Sequence, residues 1–121
     1  REWKALLIND REELNGMQVV IREVDVAQKM IKDMLFQLKT EHENSVFIVA
    51  LRSDEKITLS VAISDDLVNG RKLHAGNLVR EMAKEVKGGG GGQPFFASAG
   101  GKDPQAMDKA FSKAKDLLRD V

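Results

Sequence analysis

The sequence predicts one compact α/β domain in which about three amphipathic helices pack against a small mixed or antiparallel sheet. Three segments carry apolar residues at the three- and four-residue spacing of a helix, and short runs rich in valine and isoleucine separate them. The predicted order is strand, helix, strand, strand, helix, short strand, helix. A chain of 121 residues can form one domain with a hydrophobic core and is too short for two.

The N-terminal stretch predicts a helix end followed by a strand. The apolar cluster Trp3–Ile8 is typical of the end of an incoming helix, so residues 1–15 are assigned to a preceding helical segment. Asn15-Gly16 marks a turn. The β-branched run Met17–Ile21 after it predicts the first strand.

The first long helix is predicted to begin at a capping box and to end near Thr40–His42. Asp25 is the expected cap, with Gln28 three residues later as its partner. A stripe of apolar residues at helical spacing is assigned to the core: Val26, Ala27, Met30, Ile31, Met34, Leu35 and Leu38.

Two strands in succession predict an antiparallel hairpin. The continuous apolar run Val46–Leu51 is typical of a strand covered on both faces. A four-residue connector, 53–56, leads to Ile57–Ile63, where apolar residues alternate with small polar ones. That alternation predicts a half-buried strand.

The second half predicts a loop, two helices and an extended piece between them. Residues 65–70 are assigned to the loop, and the second helix runs to Val86. The five glycines Gly88–Gly92 end that helix, and residues 93–99 form a short extended piece at a sheet edge. Asp103 and Pro104 are a cap and first helical residue. The last helix has a core stripe: Met107, Ala110, Phe111, Ala114, Leu117, Leu118 and Val121.

Composition excludes several classes of protein. The 19 basic and 19 acidic residues balance, so bulk electrostatics alone would not hold the chain on a nucleic acid, although a local basic patch remains open. The absence of cysteine excludes disulfides and thiolate metal sites, and His42 and His74 lack metal-ligand spacing, so no metal site is expected. No apolar run is long enough for a membrane helix, and no membrane partner is expected.

The glycine run has two interpretations. On composition it is a flexible turn, and as a functional feature it is a loop that presents backbone N–H groups to a phosphate. Two nucleotide-binding motifs fail at this place. Gly100-Gly101-Lys102 lacks the earlier P-loop glycine and the following Ser or Thr, and Gly88–Gly92 lacks the strand before it and the helix after it that a dinucleotide fold needs.

The residues after the glycines carry a family resemblance. Gly88–Gly92, Gln93-Pro94 and then Ala97–Pro104 (Ala-Ser-Ala-Gly-Gly-Lys-Asp-Pro) resemble the glycine-rich signature near the C-terminus of alanyl-tRNA synthetases. The similarity extends upstream to Asp66-Leu67 and to His74–Val79. It implies the DHHA1 fold, a small α/β domain shared with DHH-family phosphoesterases. Many synthetases have a basic residue where this chain has Gln93, and the Asp-His-His cluster of the phosphoesterases is absent.

The resemblance implies that residues 1–121 are the C-terminal domain of a longer synthetase, an expectation that agrees with a sequence not starting at methionine. Such a domain would be non-catalytic, would contact the outer corner of tRNA and would support alanylation and editing. Nucleic-acid contacts are then expected from nine residues: Arg71, Lys72, His74, Lys84, Lys87, Gly90, Gly91, Gln93 and Lys102. The alternative for each basic residue is that water alone surrounds its charge, and for His74 the alternative is a structural hydrogen bond. Of the adjacent Phe95 and Phe96, at most one is expected to be exposed and able to stack a base.

The expected partners are alanine tRNA and the other domains of the parent, with DNA and a homodimer left open. The alternative functions are DNA binding and protein interaction or dimerisation with a weakened tRNA role. No cofactor is expected for this domain, because ATP and zinc would be bound by other domains of the parent ligase. The expected location is the cytoplasm, with a mitochondrial form left open.

Overall fold

A computed structural model describes residues 2–121 and contains one six-stranded mixed sheet with the strand order β1-β2-β3-β4-β6-β5. Only β2 and β3 are parallel, and every other neighbouring pair is antiparallel. The strands are β1 (Glu12–Leu14), β2 (Met17–Glu23), β3 (Ser45–Arg52), β4 (Ile57–Ile63), β5 (Gly88–Gly92) and β6 (Phe96–Gly101). The predicted α/β class with a mixed sheet is confirmed.

Helices cover both faces of the sheet, and a hydrophobic core lies on each side. On one side α1 and α2 cover the first core, and on the other α3, α4 and α5 cover the larger second core. The helices are α1 (Glu2–Asn9), α2 (Ile31–Glu41), α3 (Asp65–Gly70), α4 (Ala75–Glu85) and α5 (Met107–Arg119). The three longest, α2, α4 and α5, are the three amphipathic helices that the sequence predicts.

The start of α2 differs from the prediction. A 3₁₀ turn over Gln28–Met30 precedes the helix, and Ala27 occupies the cap position of that turn without a side-chain cap. Asp25 lies too far upstream to cap this helix, so the predicted capping box is wrong. Ala27 and Met30 are exposed because this irregular turn holds them away from the sheet, whereas the rest of the predicted core stripe is buried or half-buried.

The strand β4 is buried on both faces, although its alternating sequence predicts a half-buried strand. Ala62 is fully buried against α2, and Ser60 is only 4% exposed. The small residues on this face therefore let α2 pack closely against the strand, and they do not indicate exposure to solvent. The predicted antiparallel hairpin between β3 and β4 is confirmed.

Residues 65–70 form the short helix α3 instead of the predicted loop. Asp65 and Asp66 lie in its first turn, where their negative charge stabilises the N-terminus of the helix. Leu67 packs into the core and fixes the turn in place. At the other end of the chain, Asp103 and Pro104 begin a 3₁₀ turn, Pro104–Ala106, that leads into α5, and Asp103 makes no side-chain cap hydrogen bond. Val121, predicted as part of the core stripe, lies outside the core with 47% exposure.

The glycine run is the largest difference between prediction and structure. Gly88–Gly92 is strand β5, paired along its whole length with β6, so the flexible-turn interpretation is wrong. β5 takes the edge of the sheet, and β6 lies between β4 and β5 rather than at the predicted edge position. The three-residue strand β1 was not predicted, because Glu12–Leu14 has two acidic residues and no β-branched one.

Candidate nucleic-acid interface

α4 and β5 form one unit, which carries or borders all the predicted contact residues. Lys87 joins them with a left-handed backbone (φ 56°), and β5 then runs back along the helix. Backbone hydrogen bonds tie the far ends together, with the N–H of Gly76 donating to the carbonyl of Gln93 at 3.2 Å and that of Ala75 to Pro94 at 2.8 Å. The glycine strand is thus held against the helix at both ends.

Steric crowding explains several of the glycines. A Cβ at Gly90 would lie 2.5 Å from the Cα of Ala99 and the carbonyl oxygen of Ser98, both on the paired strand. A Cβ at Gly76 would lie 2.5 Å from the carbonyl oxygen of Gly92. Backbone atoms cannot move away from such a contact, so the pairing of β5 with β6 requires glycine at position 90, and the packing of α4 on β5 requires it at position 76.

The predicted basic residues fall into two groups at opposite ends of α4. Arg71, Lys72 and His74 lie at its N-terminal end, near Gln93, and Lys84, Lys87 and Lys102 lie at its C-terminal end. The Lys102 N–H donates to the carbonyl of Val86 at 2.9 Å, which places the residue after β6 beside the end of α4. An 11-residue helix separates the groups by ~16 Å.

Arg71 serves the fold. Its Nη1 donates to the carbonyl of Asn15 at 2.8 Å and its Nη2 to the carbonyl of Val121 at 3.0 Å. Asn15 is also bound to this end of the chain, since its Nδ2 donates to the carbonyls of Leu118 and Val121. The guanidinium therefore links the β1–β2 turn to the end of α5. Neighbouring Lys72 is exposed, with a left-handed backbone (φ 61°).

His74 caps α4. Its Nδ1 accepts a hydrogen bond of 3.1 Å from the backbone N–H of Asn77, in the position that serine or asparagine often takes. The expected structural hydrogen bond is confirmed. An Nδ1 that accepts leaves the ring proton on Nε2 as the group available to a ligand.

At the other end of α4, Lys84 pairs with Glu81 at 2.9 Å, whereas Lys87 and Lys102 are exposed and have no ion-pair partner among residues 2–121. The hydrogen bond from Lys84, followed by its attractive charge, lowers the pKa of Glu81. Glu81 therefore stays ionised and neutralises Lys84. The free positive charge at this end comes from Lys87 and Lys102.

The family of the chain follows from its similarity to known domains. A family model described as the DHHA1 domain matches residues 16–120. The chain belongs to the DHHA1 family. The C-Ala domain of the alanyl-tRNA synthetase from Aquifex aeolicus has the same fold, with a TM-score of 0.80 and 26% identity over 90% of this chain and 97% of that one.

Relatives of this DHHA1 domain are long enzymes. The alanine–tRNA ligase of Christiangramia forsetii is 40% identical over 98% of this chain, and that of Bacteroides fragilis is 44% identical over 94%. The chain spans only 14% and 13% of the length of those two proteins. The resemblance to alanyl-tRNA synthetases that the glycine signature carries is confirmed.

The remaining predicted residues of the DHHA1 domain lie along β5. Gly90 and Gln93 are exposed, and Gly91 is half-buried because the guanidinium of Arg80 lies over it. Phe95 is 36% exposed, and Phe96 is half-buried with its ring 5.3 Å from that of Phe36. The expectation that only one of the two phenylalanines is exposed is confirmed.

Two cations of the DHHA1 domain that approach the sheet were not predicted as contact residues. Arg80, on the outer face of α4, donates to the side-chain oxygen of Asn77 at 3.1 Å and reaches over the glycine strand. Lys32, on α2, places its ammonium 5.7 Å and 6.0 Å from the ring centres of Phe36 and Phe96. Both stand at ordinary polar helix positions, and only the folded structure shows that Arg80 approaches β5 and that Lys32 approaches Phe96 on β6. No helix among the residues described here is long and apolar enough to cross a bilayer.

Proposed function

We propose that this DHHA1 domain is the non-catalytic, C-terminal tRNA-binding part of an alanyl-tRNA synthetase, and that it contacts the outer corner of tRNA and supports alanylation and editing. The observation that carries the proposal is the α4–β5 unit, in which a strand without side chains lies between two groups of cations. Backbone N–H groups and lysine ammonium groups are the donors that proteins use to bind phosphodiesters. The sequence identity of 40% and 44% with alanine–tRNA ligases supports tRNA as the nucleic acid that is bound.

The contact residues of the proposal are the nine predicted ones, with different tasks. Lys72, Lys87 and Lys102 supply free charge to phosphates, and Gly90, Gly91 and Gln93 supply backbone and amide donors. Arg71, His74 and Lys84 are engaged in the fold and would add weaker contacts. RNA is recognised largely through its phosphates, 2′-hydroxyls and exposed bases, which suits a surface of this kind.

Within the parent, the domain would work beside the catalytic domains. We expect ATP and zinc to be bound there and no cofactor to be bound by residues 1–121. The parent would act in the cytoplasm as an ATP-dependent ligase, with alanine tRNA and its own other domains as the partners of this segment.

Titration of the domain against three nucleic acids tests the proposal. Alanine tRNA, a second tRNA and duplex DNA are each titrated by fluorescence anisotropy over a series of salt concentrations. We expect tighter binding to tRNA than to DNA, with affinity falling steeply as salt rises. Equal or tighter binding to DNA would favour the DNA-binding alternative, and binding to neither would leave protein interaction or dimerisation.

A further inference from the structure

A small apolar cavity lies between the end of α5 and the segment that leads into α4. Its volume is about 220 Å³, and it is open to solvent. The apolar part of its lining consists of six residues: Ile63, Leu73, Leu78, Leu117, Leu118 and Val121. Ile63 and Leu118 are fully buried, so the cavity reaches down to the core beside the end of β4. We call this space the α4–α5 cavity.

Hydrogen bonds hold two sides of the cavity in place. The Val121 carbonyl accepts from Nδ2 of Asn15 at 2.7 Å and from Nη2 of Arg71 at 3.0 Å. Because Arg71 directly precedes Lys72 and Leu73 in the chain, the same contact fixes the segment on the other side of the cavity. The α4–α5 cavity is therefore formed before a ligand enters, as small-molecule sites usually are. Preformed walls lower the conformational cost of binding.

The polar groups at the rim of the cavity are mainly hydrogen-bond donors. Lys72 lines the rim and is exposed, and its ammonium group makes no hydrogen bond or ion pair within residues 2–121. His74 presents its Nε2 proton, because its Nδ1 accepts the backbone N–H of Asn77. Asn77 keeps its amide N–H groups, since its side-chain oxygen accepts from Arg80.

One carboxylate also lines the cavity, but its charge is already neutralised. Glu81 pairs with Lys84 at 2.9 Å. The rim therefore offers one free positive charge and two neutral donors, with no free negative charge to oppose them. Such a rim favours an anionic group, because hydrogen bonds to an ionised acceptor are stronger than those between neutral groups.

The volume of the cavity limits the size of its ligand. Drug-sized molecules occupy cavities of ~300–1,000 Å³. A water molecule takes up ~30 Å³ in the liquid, so about 220 Å³ corresponds to about seven waters. A whole nucleotide is too large to be enclosed in this space, whereas a single phenyl ring or a branched alkyl chain fits.

We propose that the α4–α5 cavity binds a small amphipathic carboxylic acid, with its aromatic or branched alkyl group against the leucines and its carboxylate at the rim. The carboxylate accepts from the ammonium group of Lys72 and from the side-chain N–H groups of His74 and Asn77. Burial of the apolar group supplies most of the affinity, and the charged hydrogen bond selects the acid over neutral analogues. The inference goes beyond the proposed function, because no nucleic acid takes part in it.

Titration with small acids tests the proposal. The probe 3-phenylpropionate is added to the isotope-labelled domain at neutral pH without nucleic acid, and NMR follows the backbone amide and leucine methyl signals. We expect saturable shifts at Leu73, Leu78 and Leu117, with a Kd of about 1 mM. The amide 3-phenylpropanamide lacks the charge and should bind about fivefold more weakly. Acetate lacks the apolar group and should cause no saturable shift at these leucines.

A lysine variant with a matched control tests the rim. Lys72 and Lys87 are both exposed, both have a left-handed backbone (φ 61° and 56°), and neither has an ion-pair partner within residues 2–121. They lie at opposite ends of α4, and only Lys72 lines the cavity. We expect Lys72→Gln to bind 3-phenylpropionate about fivefold more weakly and Lys87→Gln to bind it as the unchanged domain does.

Three results would each overturn the proposal. They are the absence of a saturable shift with 3-phenylpropionate, equal affinity for the acid and its amide, and equal effects of the two lysine variants. Unchanged signals of the core leucines in Lys72→Gln confirm that the variant is folded, and the comparison of acid with amide needs no variant. The tRNA titration is a separate measurement, so the proposed function and the α4–α5 cavity can fail independently.

Discussion

The five consecutive glycines are chemically identical but occupy two kinds of site. Gly90 faces the paired backbone of β6, whereas Gly89 faces open space. Gly90→Ala should lower the free energy of unfolding by about 1–3 kcal/mol, since the added methyl group overlaps atoms that cannot shift. Gly89→Ala should leave it unchanged or raise it by about 0.5–1 kcal/mol, because alanine is less flexible in the unfolded chain. Urea unfolding of the two variants checks this, and equal effects would contradict the assignment of two kinds of site.

A single carboxylate links α3 to the start of β3. Burial raises the pKa of Asp66, but hydrogen bonds from the Ser64 hydroxyl and from the backbone N–H groups of Asn44 and Leu67 outweigh it and hold the pKa below its ordinary 3.8. The Asn44 N–H lies 2.9 Å from one carboxylate oxygen.

A lowered folded-state pKa means that the ionised carboxylate stabilises the fold above the unfolded-state pKa. This stabilisation is lost as the pH falls through the lower, folded value. Asp66→Asn should therefore make the loss of stability below about pH 4 shallower. Urea unfolding at a series of acidic pH values measures it, with Asp54→Asn in the exposed β3–β4 turn as the control of equal charge. A profile as steep as that of the unchanged domain would remove Asp66 from the acid transition.

At the scale of elements, α4 depends on an unusual cap. His74 accepts the N–H of Asn77, so His74→Ala should lower the free energy of unfolding by about 0.5–2 kcal/mol. His74→Asn should retain most of the stability that His74→Ala loses, because asparagine is among the best cap residues. Thermal unfolding and tRNA titration are measured on both variants. If Asn restores stability but not affinity, the imidazole itself contacts RNA, and if Ala and Asn are equally stable, the cap is not what holds α4.

Periodicity predicted the elements whose neighbours are ordinary side chains. The stripes of α2, α4 and α5 and the apolar runs of β3 and β4 carry their own signal, and each was found. β5 carries none, because glycine disfavours strands and only pairing with β6 makes Gly88–Gly92 one. The residues of the candidate nucleic-acid interface divide in the same way, into those that the local sequence indicates and those that only the fold brings together. The family signature placed the predicted contacts on or beside the α4–β5 unit, but the hydrogen bonds of Arg71 and the approach of Lys32 and Arg80 depend on distant parts of the chain.

For the whole molecule, charge is balanced at 19 basic and 19 acidic residues, so any nucleic-acid binding must depend on where the free cations lie. Lys87→Ala/Lys102→Ala removes, beside the end of α4, two cations that have no ion-pair partner within residues 2–121. If each contacts a phosphate, the slope of log affinity against log salt should become shallower by about one to two units. Arg11→Ala/Lys29→Ala makes the same change in net charge at exposed positions outside the α4–β5 unit and should leave the slope nearly unaltered. Equal losses in the two double variants, measured by anisotropy with alanine tRNA, would mean that the domain responds to overall charge and that the α4–β5 unit has no special part in binding.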